Sequence, residues 1–380
     1  ARSDPPRTRT RGRRGSRCIV TGLSVWLAAL AQNKKESASL AGKQSSLDWR
    51  LLAVLSAVPL FLAMAFRYDV GTDYLPIYHE IFQQHKMGGH QTVDWDPAYW
   101  LIFRVCSALF SSSVSVFIVS SLLIIGFLWV SVWKLSPAPW LSIFVFVVSR
   151  QFFISLNGVR QSTALALISV ALIFVAQKSF WKYAVCVIAA CMFHASVIVF
   201  LPLYILIWIP LTPAVSLGLL VLGSVLRTPL LWLLRALAAH TKYANYFGSV
   251  FDSTLRFHPQ TFPLFAFLFI VVCFAVSQKT IQKEEPLFRF LFNLNVVSLF
   301  LSFNLDLFPQ AERISWSLEF PNIIFMPMVL CRIENKVTRR VLTGAVLAAY
   351  TLVMWYRIVM VGDHEVLPYR CVFFPEFIFP

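Results

Sequence analysis

The sequence predicts an all-α, polytopic membrane protein. Of its 380 residues, 58% are hydrophobic and only 13% are charged, and the mean hydropathy is +0.69, values that lie well outside the range of soluble domains. A second observation is a series of long apolar runs that are nearly free of charged residues, each a candidate membrane helix. A third is that Lys and Arg cluster beside particular ends of these runs, which is the pattern that sets topology in a bilayer.

Residues 1–49 are predicted to form a basic, disordered segment. The first fifty residues hold eleven Lys and Arg against three Asp and Glu, so they carry +8 of the net charge of +15. The Arg-rich start over residues 1–17 lacks apolar periodicity, and its charge suits a cytoplasmic flank of the first span or contact with anionic lipid or nucleic acid. The apolar stretch 19–31 is too short for a span and stays unassigned.

Residues 50–370 are predicted to form the membrane domain, followed by a tail over 371–380. A helix needs roughly twenty apolar residues to cross a bilayer, and since some runs are long enough to split, we expect about 10 to 12 membrane helices. In chain order the runs are Leu51–Phe66, Val114–Trp133, Trp140–Leu156, Ser162–Ala176, Tyr183–Trp208, Ala214–Leu226, Phe262–Ser277, Phe288–Phe303, Leu318–Cys331 and Val341–Tyr356.

Basic residues at the ends of the runs predict which loops share a face. Turns that hold Lys134, residues 178–182, residues 279–283 and residues 332–340 are predicted to be cytoplasmic. Alternation then assigns the long loop near the N-terminus and most of the unusual polar residues to the opposite, extracytoplasmic face. The segments on that face are 67–97, 157–160, 236–261, 304–317 and 362–380.

Two regions do not fit simple alternation. Residues 99–110 are too short for a standard span and contain Arg104, so we expect an interfacial or re-entrant helix. Residues 202–235 contain four prolines and are expected to hold a short hairpin or an extra crossing.

The first outside loop begins with Arg67-Tyr68-Asp69-Val70-Gly71-Thr72-Asp73-Tyr74 and continues to Tyr78. One interpretation is structural, with Thr72 or Asp73 capping a helix that starts near Tyr74. The other is functional, with carboxylates that bind sugar hydroxyls or act as a general base and with tyrosines as a wall for the sugar. Both interpretations can hold, because different residues would serve each role.

Two arginines are predicted at outer helix ends. Asn157-Gly158 is a turn signal, and Arg160-Gln161 opens the following apolar helix, where a guanidinium near the positive helix terminus favours anion binding. The alternative is an arginine that reaches lipid headgroups. Arg313 precedes a late span on the same face, and its alternative is an ion pair with Glu312 or Asp306, although adjacent helical residues point apart. Together the two arginines suit a pyrophosphate.

His194 lies about a dozen residues into an apolar run, where charged or titratable side chains are costly. An isolated imidazole in such a place often makes a hydrogen bond between helices. Its small neighbours Ala195 and Ser196, with Pro202 further on, would leave room beside it. A catalytic role for His194 is therefore as well supported as the structural one.

Several classes of site are excluded or unsupported. There is no Gly-rich phosphate loop, HExxH, EF-hand loop or GxSxG elbow, and Asp94-Trp95-Asp96 is the one DxD sequence. A soluble, metal-dependent transferase that uses a nucleotide sugar is therefore disfavoured. No metal and no cofactor is predicted.

The ordered set of motifs resembles the EpsG/Wzy-like family of bacterial polysaccharide polymerases, over about residues 50–370. Where that family usually carries an acidic residue at the start of the second hydrophobic segment, this chain has Asp96-Pro97-Ala98-Tyr99, and the Arg-rich start has no counterpart there. The resemblance rests on Gly71-Thr72-Asp73-Tyr74 with Tyr78, Asn157-Gly158-Val159-Arg160-Gln161 with Ala164, Phe193-His194-Ala195-Ser196, Arg313, and Leu367-Pro368-Tyr369-Arg370.

The resemblance implies a multi-pass enzyme of the bacterial inner membrane whose active site faces the periplasm. It would transfer a growing glycan from undecaprenyl pyrophosphate to a hydroxyl of another lipid-linked repeat unit. Its partners would be the donor and acceptor lipids, membrane lipids, and flippase and chain-length regulator proteins, with no nucleic acid.

The residues can be matched to that reaction. Arg160 and Arg313 would bind the donor pyrophosphate and stabilise charge on the leaving group. Either Asp73 or His194 would accept the proton of the attacking hydroxyl, and the sequence does not choose between them. The predicted substrate-binding residues are Gln161, Asp69, Tyr74, Tyr78, Asn157 and Arg67.

Three other functions compete with this one. A glycan ligase would keep the arginines and use a different acceptor. A transporter or flippase of polyprenyl-linked sugars would also need basic residues along a cavity, but no inverted repeat is visible. A non-enzymatic scaffold predicts that Arg160, His194 and Arg313 can be replaced without loss.

Overall fold

The chain folds into packed α-helices with a small hairpin near its C-terminus. The computed structural model describes residues 16–40, 47–88, 96–209, 218, 221–222, 225–239, 285–303 and 311–379. The helices are α1 Ser16–Leu40, α2 Leu47–Leu55, α3 Val58–Ala65, α4 Glu80–Lys86, α5 Pro97–Leu109, α6 Val114–Leu135, α7 Pro139–Val148, α8 Gln151–Asn157, α9 Val159–Ala176, α10 Phe180–Cys191, α11 Phe200–Leu203, α12 Arg227–Ala238, α13 Pro286–Phe303, α14 Ala311–Glu319, α15 Asn322–Cys331 and α16 Lys336–Trp355. The strands are β1 Tyr369–Cys371 and β2 Phe374–Phe379.

Within the described residues, four helical stretches are long and apolar enough to cross a membrane, and four further apolar helices are shorter. The bent pair α7 and α8 makes a fifth crossing if it is taken as one span. The predicted class, an all-α polytopic membrane protein, is confirmed. The predicted total of about 10 to 12 helices includes the runs Ala214–Leu226 and Phe262–Ser277, which lie largely or wholly outside the described residues.

Several of the predicted apolar runs are split by breaks in the helical backbone. Trp140–Leu156 bends by 56° between α7 and α8, where Arg150 has a φ of +70°. Tyr183–Trp208 leaves the helical conformation at His194, and Leu318–Cys331 breaks between α14 and α15. Irregular backbone at membrane depth is tolerated where protein or a water-filled cavity satisfies its polar groups. The breaks therefore mark positions at which the protein can accommodate polar groups.

Helix α1 covers the apolar stretch 19–31, which the sequence left unassigned, and extends on both sides into the segment that we expected to be disordered. Its side chains Ser24, Ala28 and Ala31 are fully buried, and the helix packs against α2, α3 and α7. Small residues on one face let the helices approach closely, and this packing offsets the entropy of ordering the segment. Residues 1–15 lie outside the described part of the chain.

Helices α6 and α9 form the centre of the packed core. Ala164, Ala166 and Ala171 on α9 are fully buried, so the two backbones can lie close together. The hydroxyls of Ser131 and Ser169 meet at 3.0 Å across this interface. A rigid α9 fixes the position of the residues at its N-terminus, including Arg160.

Helix α5 is the element that we expected to be interfacial or re-entrant. It has 13 residues and packs against α4 and α6. The hairpin or extra crossing expected over residues 202–235 lies partly outside the described residues, of which α12 is the longest helical part.

The C-terminal segment is tied back to the first outside loop. Strands β1 and β2 pair in antiparallel fashion, and the Tyr68 N–H donates to the Arg370 carbonyl at 3.0 Å while Val372 N–H donates to the Phe66 carbonyl at 2.9 Å. The Gly71 N–H donates to the Glu365 carbonyl at 3.3 Å. These bonds hold residues 362–372 against the loop that carries Asp73.

Candidate active site

The loop that carries Asp73 is held by Asn157, at the end of α8. The Asn157 Oδ1 accepts hydrogen bonds from the Thr72 hydroxyl at 2.8 Å and from the Asp73 N–H at 3.0 Å. Asp73 is the residue before the π-helical turn Tyr74–His79, and its side chain makes no capping bond there. The backbone thus positions the Asp73 carboxylate, which is available for contacts with other groups.

Gly71 allows this loop to approach α8. It has a φ of +93°, and a Cβ at this position would lie 3.0 Å from the Leu156 carbonyl oxygen and 3.4 Å from Asn157 Oδ1. Only glycine adopts such a conformation without strain, and no side chain fits the space. The glycine therefore sets the distance between Asp73 and Asn157.

Replacing Gly71 with alanine is expected to destabilise the protein more than the matched Gly88→Ala change. Gly88 has a similar φ of +81°, and a Cβ there would meet no atom within 4 Å, so it reports backbone strain alone, about 1 kcal/mol. Gly71→Ala adds the contact with Leu156, and we expect a total of about 2 kcal/mol or more. Thermal unfolding in detergent measures both variants. Equal losses would contradict the close approach.

Asp96 connects Arg160 and His194. Its Oδ2 lies 4.0 Å from Arg160 Nη1 and 3.5 Å from His194 Nδ1, and its Oδ1 accepts the Ala195 N–H at 3.0 Å. Burial alone would raise the pKa of Asp96, but the contact with His194, the Ala195 N–H and the charge of Arg160 lower it below the ordinary value. Asp96 is therefore ionised at neutral pH and contacts both Arg160 and His194, two of the predicted site residues.

Gln161 and Arg313 meet across α9 and α14. The Gln161 Nε2 donates to the Arg313 carbonyl and to the Ser317 hydroxyl, both at 2.8 Å. Since its amide nitrogen is used in this way, Gln161 fixes the helix that carries Arg313. The Arg313 side chain itself is exposed.

The charges of Arg160 and Arg313 both reach Asp73. Burial raises the pKa of the Asp73 carboxyl above its ordinary value, while Arg313 and then Arg160 act in the opposite direction. Two arginines from different helices thus converge on one carboxylate. This is an arrangement that can bind a polyanion, provided that the ligand offers more negative charge than the single Asp73.

Tyr74 and Tyr78 line the buried side of the same loop. The Tyr74 ring stacks on Phe117 at 4.6 Å, and burial raises the pKa of Tyr74 to about 12. Burial also raises the pKa of Tyr78, whose hydroxyl is hydrogen-bonded by Arg160 and Tyr99. Tyr74 and Tyr78 are 2% and 3% exposed, so in this conformation they support the loop and Arg160.

Arg67 is buried in the core, and Asp69 is held in an ion pair. Arg67 is 1% exposed, its guanidinium lies 4.2 Å from the centre of the Phe117 ring, and burial lowers its pKa to about 10. Asp69 Oδ2 pairs with Arg370 Nη1 at 3.1 Å. A buried guanidinium cannot reach a substrate, and we leave Arg67 out of the proposed substrate contacts.

A second ionic cluster, which the sequence did not single out as a site, lies beside Asn157. Asp363 Oδ2 accepts hydrogen bonds from Arg150 Nη1 and Arg357 Nε, both at 2.7 Å. The next residue, His364, has Nδ1 at 3.4 Å from Asn157 Nδ2. Burial lowers the pKa of His364 to about 4, so its ring is neutral at physiological pH and can accept from the amide.

Metal-ligand side chains do not converge in the part of the chain that the structure describes: no group of three or more His, Cys, Asp or Glu could hold an ion there.

Several of the residues predicted from the sequence lie together in the structure. Asp73, Asn157, Arg160, His194 and Arg313 surround one region, joined by the contacts of Asp96 and Gln161. The sequence marks Asp96 only as part of a DxD sequence and as the acidic residue at the start of a hydrophobic segment. Its alignment with His194, 98 residues away, has no local signal.

Comparison with known proteins gives one family. A sequence model of the EpsG family matches residues 50–371, which is most of the chain and includes every predicted site residue. No curated protein and no solved structure matches significantly.

Proposed function

Because the chain belongs to the EpsG family, a family of membrane polysaccharide polymerases, we propose that it joins lipid-linked oligosaccharide repeat units. The donor would be a glycan on undecaprenyl pyrophosphate, and the acceptor a hydroxyl of another lipid-linked unit. One observation carries the proposal: Gln161, next to Arg160 on α9, donates to the Arg313 carbonyl of α14 at 2.8 Å, and the charges of both arginines act on the Asp73 carboxylate. A pyrophosphate carries enough negative charge to bridge both arginines.

Each side chain has a role in this proposal. Arg160 and Arg313 bind the pyrophosphate and stabilise the charge that develops as it leaves. The Asp73 carboxylate offsets the repulsion between the two guanidinium groups and is proposed to face the acceptor. Asn157 and Gln161 hold the loop and the helix that carry Asp73 and Arg313, so that the reacting groups are already aligned when substrate binds.

The proposed site faces the periplasm. Helices α6, α9, α10 and α16 each have the site region at one end and basic residues at the other, and the predominance of basic residues on the cytoplasmic side is the common topology. The basic residues at the opposite ends are Lys134, Lys178, Lys182, Lys336, Arg339 and Arg340. Together with the family, this orientation supports our proposal that the protein lies in the bacterial inner membrane.

An apolar cavity is the proposed place for part of the polyprenyl chain. It has a volume of about 550 Å³ and lies between α1, α3, α8 and residues 366–371, lined by Val58, Leu62, Phe153 and Leu156 among others. Its volume falls in the range of small-molecule pockets, so it would hold a portion of the lipid while the rest lies in the bilayer. Leu156 lines the cavity and directly precedes Asn157, so we propose that the lipid runs from the cavity towards the site.

Filling this cavity is expected to weaken use of the long-chain donor. Leu62→Trp would displace two or three methylenes of the lipid from apolar contact, at about 0.8 kcal/mol each, and raise the KM for the donor roughly 15- to 60-fold. The matched control is Leu122→Trp, since Leu122 is an exposed leucine on α6 that does not line the cavity. Steady-state kinetics with long-chain and short-chain donors measures the effect. An equal effect of both substitutions, or no preference for the short chain, would argue against the lipid site.

The function is tested by reconstitution. Purified protein in lipid vesicles receives lipid-linked repeat units, and products are separated by length on a gel. We expect a ladder of lipid-linked polymer. Transfer of single units to a different acceptor would indicate a ligase, and movement of intact lipid-linked units across the vesicle without a ladder would indicate a transporter. Either result would overturn the polymerase.

A further inference from the structure

Asp96 occupies a helix-capping position but is not used as a cap. It precedes Pro97 at the start of α5, and its side chain makes no hydrogen bond with the first turn of that helix. An aspartate in this position usually accepts a backbone N–H of the helix. Here the carboxylate points to the break in the helix at His194 and accepts the Ala195 N–H at 3.0 Å. Stabilisation of α5 does not explain this orientation.

The same carboxylate faces two groups that could take part in the reaction, an imidazole and a guanidinium. Its Oδ2 is 3.5 Å from His194 Nδ1 and 4.0 Å from Arg160 Nη1. His194 Nδ1 is buried, while the side chains of Asp96 and His194 keep 18% and 19% of their surface exposed. The Nε2 atom is therefore the ring nitrogen left to meet a substrate. Distances of this kind shorten when a site closes on its ligand.

Resting on the proposed function, we infer that Asp96 is the positioning residue that makes His194 the general base of the transfer. In the closed site, His194 Nδ1–H donates a hydrogen bond to Asp96 Oδ2, which leaves the unprotonated Nε2 as the acceptor. In the step, the acceptor hydroxyl gives its proton to His194 Nε2 while its oxygen bonds to the anomeric carbon. The bond from that carbon to the pyrophosphate oxygen breaks, and the electron pair leaves with the pyrophosphate beside Arg160. The Asp96 carboxylate balances the charge of the imidazolium.

The surroundings of Asp73 favour this division of roles. The charges of Arg313 and Arg160 both act on the Asp73 carboxylate, which suits Asp73 to hold the phosphate-binding groups. Asp96 Oδ2 lies 4.0 Å from Arg160 Nη1 and closer, at 3.5 Å, to His194 Nδ1. His194 also sits at a break in the backbone, where its position depends on the Ala195 bond to Asp96.

The test is a double-mutant cycle in the reconstituted full-length protein with lipid-linked repeat units. Asp96→Asn keeps the size of the side chain and removes its charge, and His194→Gln removes the base. Each is expected to lower kcat about 100-fold, with the KM for the donor and the unfolding midpoint little changed. The Asp96→Asn/His194→Gln double variant is expected to be no slower than His194→Gln, because Asp96 acts only through His194. A purely structural Asp96 would lower the unfolding midpoint and add its effect to that of His194.

Two outcomes separate the inference from the function on which it rests. Wild-type protein that makes no polymer overturns the proposed function and this inference together. Wild-type polymer, with effects of Asp96→Asn and His194→Gln that multiply, overturns the role of Asp96 alone. If Asp96→Asn does not fold, Asp96→Glu keeps the charge but displaces it by one methylene, and a wild-type kcat in that variant also overturns the inference.

Discussion

Arg160→Ala is expected to leave single lipid-linked repeat units in place of polymer. Removing a donor that stabilises charge in the transition state typically lowers kcat by about 100- to 1,000-fold, and Arg160 is proposed to meet the pyrophosphate as it leaves. Arg160 belongs to α9, whose burial in the core fixes the arginine's backbone. Electrophoresis of carrier-linked glycans from a strain that lacks the native copy measures the product length, with membrane expression checked for each variant.

Arg160→Lys distinguishes the geometry of the guanidinium from its charge. A lysine keeps the positive charge but cannot form the paired, planar contacts that arginine makes with phosphate, so we expect short products and a rate between those of alanine and wild type. Arg104→Ala is the matched control, because Arg104 is an exposed arginine on α5. Full-length polymer in both Arg160 variants would sink the site assignment and favour a scaffold or a transporter.

The sequence was informative where a residue type is costly in its surroundings. Arg160 and His194 could be selected because charged or titratable side chains are rare within apolar segments, and Gly71-Thr72-Asp73 because a glycine stands beside a carboxylate at a membrane exit. These residues do meet in space. Their selection rested on local chemistry, which a single sequence contains.

The partners of these residues could not be predicted, because contacts over long sequence separations leave no local pattern. Asp96 and His194 are joined by a contact across 98 residues, and Arg150 and Asp363 across 213. Exposure was equally hidden: Arg67 looked like a substrate contact next to the motif, yet it is buried over Phe117. Gln161 likewise looked free to bind a donor, but its amide nitrogen is bonded to α14.

The breaks in the helices at Arg150 and His194 could not be predicted from hydropathy. Arg150 and His194 interrupt runs whose average composition predicts continuous spans, and in each case the polar side chain has a carboxylate partner from elsewhere in the chain. An apolar average therefore conceals the position at which the backbone leaves the helix. The partner that makes the break tolerable in a membrane is visible only in the fold.

Asp363→Ala is expected to destabilise the protein by about 3 kcal/mol, since removing one partner of a buried ion pair leaves the other charge without compensation. The side chains of Arg150 and Asp363 are 6% and 13% exposed. Glu319 is the other carboxylate whose charge reaches Arg150, and it keeps the loss from being larger. Asp363 also ties the C-terminal segment to the bend between α7 and α8, so we expect polymer synthesis to fall as well.

Arg357→Ala provides the comparison, because it removes the more exposed partner of the same carboxylate. The Arg357 side chain is 39% exposed, and its loss leaves the bond between Asp363 and Arg150 intact, so the expected change is within about 1 kcal/mol. Unfolding of each purified variant in detergent, followed by circular dichroism, gives the two values. If Asp363→Ala unfolds no more easily than Arg357→Ala, the cluster is not what holds residues 362–366 beside Asn157. The alignment of Asp73 would then depend on Gly71 and Asn157 alone.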